Sequence, residues 1–218
     1  MGYGRFVGGD PTSNDPVRLA RFSAFSDGVF AIAITLLVLT IPAPDDYKHL
    51  GDALWNQWPA YAAYVVSFAI IGIMWLNHHT VFDHFERVDR NLVYLNLALL
   101  ATVVLIPYPT QVFGEALQRG QGEKVAAVFY SALMTLNGIA WAALWLYGSS
   151  KRRLLGDDFP EAQRRTATFL FTFGTLIYLG TIVVALINAY ACLAVHGALA
   201  VYYALDPLSR WVSRFTTD

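Results

Sequence analysis

Long apolar segments dominate this chain and constrain its fold more than any other feature. A helix needs roughly 20 mostly apolar residues to cross a hydrocarbon core about 30 Å thick, and runs of that kind recur between residues 22 and 205. Hydrophobic residues make up 56% of the 218 positions and charged residues only 14%, whereas a soluble domain has roughly a quarter charged. The sequence therefore predicts an all-α integral membrane protein that spans the lipid bilayer.

Six membrane-spanning helices are predicted, and they form a single domain over residues 1–218. The last apolar stretch is too long for one crossing, so we divide it near Asn188 into two antiparallel helices. The third helix is expected to bend or end near Pro107 and Pro109, and residues 77–90 are expected to form a polar connection. The predicted helices cover residues 22–41, 54–76, 92–113, 125–147, 166–187 and 189–205.

Basic residues are distributed unevenly between the two ends of these helices. Only Lys48, Arg119 and Lys124 fall on one side, and the other twelve of the 15 Lys and Arg residues fall on the opposite side. Cytoplasmic loops carry such an excess, so we expect both termini to be cytoplasmic in an inner (plasma) membrane. The first nineteen residues lack the apolar core of a cleaved signal peptide, and the formal net charge of −1 gives no reason to expect nucleic acid as a partner.

The densest polar signal stands at the entrance of the first helix, in the sequence RFSAFSDG from Arg21 to Gly28. Arg21 and Asp27 are six residues apart, so they do not share a helical face. An unpaired carboxylate inside the membrane is expensive, and Asp27 should therefore have a fixed partner. In the alternative interpretation, Arg21 is a cytoplasmic anchor and Asp27 interacts with the helix dipole.

An apolar stripe follows this motif along the same helix. Ile32, Thr35, Leu36 and Leu39 are spaced i, i+3, i+4 and i+7, so they lie on one face. By periodicity alone, such a stripe most often indicates helix packing.

These residues carry a resemblance to a known family. The pattern Arg-x-x-x-Phe-Ser-Asp over residues 21–27, continued by GVFAIAITLLVL over residues 28–39, resembles the first helix of the transmembrane protein 175 family in its prokaryotic single-repeat form. The ending of the second helix, Trp75-x-Asn77-His78, supports the resemblance. That family comprises potassium-permeable cation channels without a glycine-rich filter loop.

The resemblance implies a homotetramer whose four first helices line a central pore. Ile32, Leu36 and Leu39 would form a hydrophobic gate, since rings of large aliphatic side chains close a pore by excluding water. An ion must shed part of its hydration shell there, which costs potassium less than sodium, and Thr35 would contribute hydroxyls to modest potassium selectivity. K⁺ and other monovalent cations would be the permeant ions, with no cofactor, no metal site and no catalytic residue.

The resemblance also implies a signature network that holds the first helix. Its members on that helix would be Arg21, Phe25, Ser26 and Asp27. We further interpret Asn77 and His78 as pairing with Asp27 or Ser26 and bracing the pore helix. Interhelical hydrogen bonds account for the remaining intramembrane polar residues, to which we assign no further role; these are Asn96, Asn137, Asn188 and His196.

Two other classes of function stay open at this point. A proton- or ion-coupled carrier would hold ionisable residues near the bilayer midplane, and the midplane regions of the six predicted helices lack Asp, Glu, Lys and Arg. A membrane enzyme could use the polar cluster from His78 to His84, but a zinc or iron site usually recruits further His or Cys ligands. We therefore favour the channel.

Overall fold

A computed structural model describes residues 16–150, 154–156 and 159–205, and the regular structure within these ranges is helical. An isolated antiparallel bridge joins Phe85 to Leu155 between helices. The helices are α1 (Pro16–Leu36), α2 (Leu50–Asn56), α3 (Trp58–Asp83), α4 (Arg90–Leu105), α5 (Pro107–Arg119), α6 (Glu123–Ser149), α7 (Glu161–Ile187) and α8 (Ala189–Ala204), with a 3₁₀ turn, Leu37–Thr40, that continues α1.

Five helical stretches of the described chain are long and apolar enough to cross a membrane. They are Leu19–Thr40, Trp58–Asp83, Arg90–Arg119, Glu123–Ser149 and Glu161–Ile187. Helix α8 is apolar but has only 16 residues, which corresponds to about 24 Å at about 1.5 Å per residue. The architecture is the all-α membrane-spanning bundle that the sequence predicts.

Polar side chains mark two of the helix starts. At the start of α4, Asp89 Oδ1 accepts a hydrogen bond from the Leu92 N–H at 2.8 Å. Asn188 has an extended backbone between α7 and α8, and its Oδ1 accepts from the Ala191 N–H at 2.9 Å. Such a cap satisfies an N–H that the first turn of a helix leaves open. The boundary between α7 and α8 thus lies at Asn188, where the sequence analysis places it.

Two helices extend beyond the predicted apolar segments. Helix α1 begins at Pro16 rather than at residue 22, and α3 continues to Asp83. Residues 77–83, which we expected in a polar connection, are therefore helical. Hydropathy marks only the part of a helix that lies in hydrocarbon, because a helix continues into water without losing its internal hydrogen bonds.

The third predicted helix is interrupted rather than ended by its prolines. Helix α4 stops at Leu105, and α5 resumes at Pro107 and continues to Arg119. A proline is tolerated in the first turn of a helix because the N–H it lacks has no intrahelical partner there. The tight link to α6 then uses Gly120 and Gly122, whose φ angles of 63° and 70° favour glycine.

Helix α1 lies at one side of the bundle, against α3 and α4, and its 3₁₀ turn lies against α3 and α5. Helices α6 and α7 form another closely packed pair. A Cβ atom at Gly138 would lie 3.2 Å from the Thr175 Cα atom, so the absence of a side chain permits this approach. The largest fully buried side chains include five aromatic ones, namely Phe30, Phe82, Phe85, Phe113 and Tyr130.

Candidate functional site

Helix α1 buries one face against the rest of the described chain. The inward positions, with their 3₁₀ continuation, are at most 5% exposed: Ser26, Phe30, Ala33, Leu37 and Thr40. Their spacing of three and four residues alternates, so they form one continuous stripe along the helix. This stripe fixes the rotation of α1 about its own axis, because any turn of the helix would expose Phe30 and Leu37.

The opposite face of α1 carries large apolar side chains that the other described residues leave uncovered. Phe25, Ile32, Leu36 and Leu39 are 55%, 59%, 39% and 72% exposed. Phe25 and Ile32 are seven residues apart in the α-helical part, close to two helical turns, so they lie in one row. We call Ile32, Thr35, Leu36 and Leu39 the outward row.

The 3₁₀ turn aligns Leu39, the last member of the outward row, with Leu36. In a 3₁₀ helix, side chains at i and i+3 eclipse each other, so Leu39 follows directly above Leu36. An α-helix would instead rotate Leu39 by about 60° away from Leu36. The change of helix type therefore stacks two leucine side chains along the same line at this end of the helix.

Thr35 contributes an oxygen to the outward row. Its Oγ1 donates a hydrogen bond to the Ile32 carbonyl at 2.9 Å, and the residue is exposed. A hydroxyl has one proton and two lone pairs. With the proton held by the helix backbone, the lone pairs of Thr35 remain available to a group that faces the outward row.

A buried chain of hydrogen bonds ties the inner part of α1 to α4 and α3. The Asn96 Nδ2 donates to the Ser26 Oγ at 2.9 Å, and the His78 Nε2 lies 2.8 Å from the Asn96 Oδ1. Ser26 in turn donates to the Phe22 carbonyl at 3.2 Å. Because Asn96 uses its amide to donate, its carbonyl oxygen must accept, and His78 carries a proton on Nε2. All three side chains are at most 2% exposed.

A second hydrogen bond fixes the neighbouring residue of α1. The Trp75 Nε1 donates to the Asp27 Oδ1 at 2.9 Å. A charge-assisted hydrogen bond of this kind is stronger than a neutral one, and it satisfies part of the carboxylate within a membrane-spanning helix. Ser26 thus fixes α1 to α4 through Asn96, and the adjacent Asp27 fixes α1 directly to α3 through Trp75.

Comparison with known proteins places this arrangement in a family. The family model described as "Endosomal/lysosomal potassium channel TMEM175" matches residues 21–107. A protein of Streptomyces collinus that is named a potassium channel is 45% identical over 188 residues, which cover 85% of this chain and 91% of that protein. The chain belongs to the TMEM175 family.

Similarity to TMEM175-family proteins extends to a solved structure. A protein of Chamaesiphon minutus, also named a potassium channel, is 37% identical over 189 residues that cover 85% of this chain and 93% of that protein. A crystal structure from the same organism, described as a lysosomal potassium-selective channel TMEM175 homolog, gives a TM-score of 0.78 at 35% identity, and the match covers 87% of this chain and 97% of that chain.

The structure brings together only some of the residues predicted for the TMEM175 signature network. Ser26, Asp27 and His78 take part in the two hydrogen-bonded groups, although His78 reaches Ser26 through Asn96 and not directly. Arg21 and Phe25 are exposed, and within the described ranges Arg21 has no hydrogen-bond or ion-pair partner.

Asn77 is the residue for which the predicted pairing is wrong. It makes no hydrogen bond with Ser26 or Asp27 and instead lines a cavity on another side of α3. The reason is helical geometry: Trp75 and His78 are three residues apart and share a face, whereas Asn77 is rotated by about 200° from Trp75.

Two partners were missed by sequence reasoning, namely Asn96 and Trp75 in its role as a donor. The sequence predicts only an ordinary interhelical hydrogen bond for Asn96, whereas Asn96 connects His78 of α3 to Ser26 of α1. The spacing of Trp75, His78 and Phe82, at i, i+3 and i+7, was the available signal that these side chains face one neighbour. The Phe82 ring stacks on the His78 ring with centroids 4.3 Å apart.

The remaining histidines near the end of α3 do not assemble into a ligand set. The His79 Nε2 lies 3.9 Å from the Asp83 Oδ2, and both side chains are more than half exposed. The His84 ring packs edge-on against Phe159 at 5.1 Å between centroids. Within the described ranges, no group of three or more His, Cys, Asp or Glu residues is placed to hold a metal ion.

Proposed function

We propose that this chain forms a potassium-permeable cation channel, a homotetramer in which α1 of each subunit lines a central pore. The observation that carries the proposal is the outward row of α1, which is exposed in the subunit although the same helix packs tightly on its other face. The relatives named potassium channels support it, because the chain covers more than nine tenths of their length.

The outward row is suited to a hydrophobic gate. Four copies of Ile32, Leu36 and Leu39 around one axis give three aliphatic rings, and the 3₁₀ turn stacks the last two along the pore. A narrow apolar constriction excludes water and so raises the free energy of an ion within it. Closure then needs only a small change in the distance between the four helices, with no separate plug.

Thr35 supplies the polar layer between these rings. Its lone pairs can replace some of the water ligands that an ion sheds at the constriction, which favours potassium because its hydration shell is lost at lower cost than that of sodium. K⁺ and other monovalent cations are the permeant ligands, and neither a cofactor nor a catalytic step is required for passive conduction.

The hydrogen bonds at Ser26 and Asp27 act as a brace in this proposal. They fix the inner part of α1 to α3 and α4, so the rotation of the outward row is set by side chains that never enter the pore. Asn96 and Trp75 replace Asn77 as bracing residues, together with His78. The channel lies in the plasma membrane with both termini in the cytoplasm, following the distribution of Lys and Arg.

Reconstitution of the purified protein into planar bilayers tests the proposal. We expect discrete single-channel current steps with a higher permeability for K⁺ than for Na⁺, and particle images in detergent with fourfold symmetry. A carrier turns over too slowly to give such steps. Flux without resolvable steps, or a monomeric particle, would rule out the tetrameric pore.

A further inference from the structure

A cavity lies within the subunit between α3, α6, α7 and α8, away from the outward row. Its walls are apolar and include Met74, Trp141, Leu170, Phe171 and Ala200. The lining residues of α7 extend from Leu170 to Tyr178, a rise of about 12 Å at 1.5 Å per residue. An apolar space of this shape, inside membrane-spanning helices, is suited to a hydrophobic chain.

The cavity carries no charge but has a polar edge. No Asp, Glu, Lys, Arg or His is among its lining residues in the described part of the chain. Asn77 and Tyr203 both line it, and neither side chain has a hydrogen-bond partner among the described residues. Unpaired donors next to apolar walls favour an uncharged ligand group that accepts a hydrogen bond.

Among the residues that the structure describes, the short helix α8 leaves one end of this cavity uncovered. A Cβ atom at Gly174 would lie 3.2 Å from the Tyr203 hydroxyl oxygen, so the end of α8 reaches only the middle of α7, which extends from Glu161 to Ile187. Beyond that level, α8 does not cover α7. The side chains of Leu170 and Phe171 are half-buried there.

We propose that one acyl chain of an inner-leaflet lipid occupies this cavity, with a lipid carbonyl accepting a hydrogen bond from Asn77 or Tyr203. The apolar walls match a hydrocarbon chain, and the lack of charge matches an ester rather than a phosphate. The lining residues of α3 lie between the middle of that helix and its end at Asp83. The assignment to the inner leaflet follows the proposed orientation, in which the end of α3 at Asp83 is cytoplasmic.

The bound acyl chain contacts Trp141, which packs against the hydrogen-bonded residues that hold α1. Trp141 lines the cavity, and its ring packs edge-on against His78 with centroids 6.1 Å apart. Asn77 lies directly beside His78 in α3. A lipid chain that packs against Trp141 therefore stabilises the position of His78 and the hydrogen bonds from His78 through Asn96 to Ser26. As a consequence that rests on the proposed channel function, lipid occupancy and pore current are coupled.

Photolabelling of the wild-type protein tests occupancy without any current. The protein is reconstituted with phosphatidylcholine that carries a diazirine in the middle of one acyl chain, and labelled residues are located by mass spectrometry. We expect label on Trp141, Leu170 or Phe171. Label confined to exposed positions such as Phe169 and Phe173 overturns the proposal, as does cross-linking that places residues 206–218 in the cavity.

A matched pair of glycine substitutions on α7 sharpens the test. Gly174→Leu places a side chain in the cavity, with only the tip of Tyr203 close enough to shift, whereas a Cβ at Gly180 meets nothing within 4 Å. We expect Gly174→Leu to lower cavity labelling about tenfold, since displacing about two methylene groups from an apolar site is worth that factor. Gly180→Leu should leave it unchanged.

Equal labelling in wild type and Gly174→Leu would contradict the proposal, and so would an equal loss in both variants. Gel filtration shows whether each variant retains its assembly, and the wild-type labelling map holds independently of either variant. Because labelling needs no ion flux, its failure is distinguishable from failure of the channel proposal: a conducting protein without cavity label removes only the lipid site.

Discussion

The two faces of α1 differ in how they are held, and the difference separates stability from conduction. The inward face is fixed within one subunit by close packing at Phe30 and Leu37 and by directional hydrogen bonds at Ser26. The outward row has no such partners among the described residues, and in the proposed tetramer its surroundings would come from neighbouring copies. Substitutions on the inward face should therefore affect folding, and those on the outward row should affect the pore.

Adjacent leucines give the strongest test of this contrast. Leu37 is fully buried and Leu36 is 39% exposed. We expect Leu37→Ala to lower the free energy of unfolding by about 3 kcal/mol through the cavity it leaves. Leu36→Ala should cost far less stability but widen an aliphatic ring and raise single-channel conductance. Unfolding in detergent and bilayer recording measure the two effects.

Two results would contradict the expected difference between Leu36 and Leu37. A conductance change in Leu37→Ala with none in Leu36→Ala would mean that the outward row faces lipid rather than the pore. A large loss of stability in both would mean that Leu36 is buried in the assembled protein in a way that does not line a water path.

A pair of buried asparagines tests the hydrogen bonds that hold α1, with a smaller expected loss of stability than for Leu37→Ala. Asn96→Leu removes the hydrogen bonds to Ser26 and His78, worth about 1 kcal/mol each between membrane helices, so we expect about 2 kcal/mol lower stability and altered channel opening. Asn137 donates to the Thr102 Oγ1 at 2.7 Å, a hydrogen bond that joins α6 to α4.

Asn137→Leu is thus the control for a lost interhelical bond that does not hold α1. It should lower stability by about 1 kcal/mol and alter single-channel opening much less than Asn96→Leu does, because Asn137 lines the lipid cavity but makes no hydrogen bond to Ser26 or His78. If the two asparagine variants alter opening to the same extent, the hydrogen-bonded chain from His78 to Ser26 has no special connection with the pore.

Sequence patterns were sufficient for the parts of the fold that depend on one helix at a time. The apolar segments and the position of Asn188 follow from length and hydropathy, and the stripe from Ile32 to Leu39 follows from a 3.6-residue period. The extension of α3 to Asp83 did not follow, because polar residues at the end of a helix look like a loop when only hydropathy is considered.

Contacts between helices could not be predicted in the same way. Asn96 and Ser26 are 70 positions apart in the sequence, and their approach depends on the rotation of α1 and α4 about their axes. A buried amide can pair with any facing polar group, so its identity alone does not select a partner. The 3₁₀ turn that aligns Leu39 with Leu36 likewise has no clear sequence signal.

The hydrogen bond between Trp75 and Asp27 gives a third, weaker test of the brace. Trp75→Phe keeps an aromatic ring but removes the N–H donor. We expect about 1 kcal/mol lower stability, below the roughly 1.5–3 kcal/mol of a typical bond to a charged group, because Trp75 is 41% exposed. Trp55→Phe is the control, since Trp55 is 79% exposed. A thermal unfolding midpoint that is identical for both variants would show that Asp27 is satisfied by other groups.

The smallest expected effect concerns ion selectivity, where two nearby threonines occupy opposite faces of α1 and its 3₁₀ continuation. Thr35 is exposed in the outward row, and Thr40 is 5% exposed on the inward side with its hydroxyl donating to the Leu37 carbonyl at 2.7 Å. Valine has the shape of threonine without the oxygen. We expect Thr35→Val to lower the K⁺ to Na⁺ permeability ratio about twofold, equivalent to about 0.4 kcal/mol, and Thr40→Val to leave it unchanged.

Reversal potentials under bi-ionic conditions measure both ratios, and Thr35→Ser should restore the wild-type value because it retains the hydroxyl. If Thr35→Val keeps the wild-type ratio while Leu36→Ala still raises conductance, potassium preference arises from the cost of dehydration at the aliphatic rings alone, and the oxygen of Thr35 has no part in it.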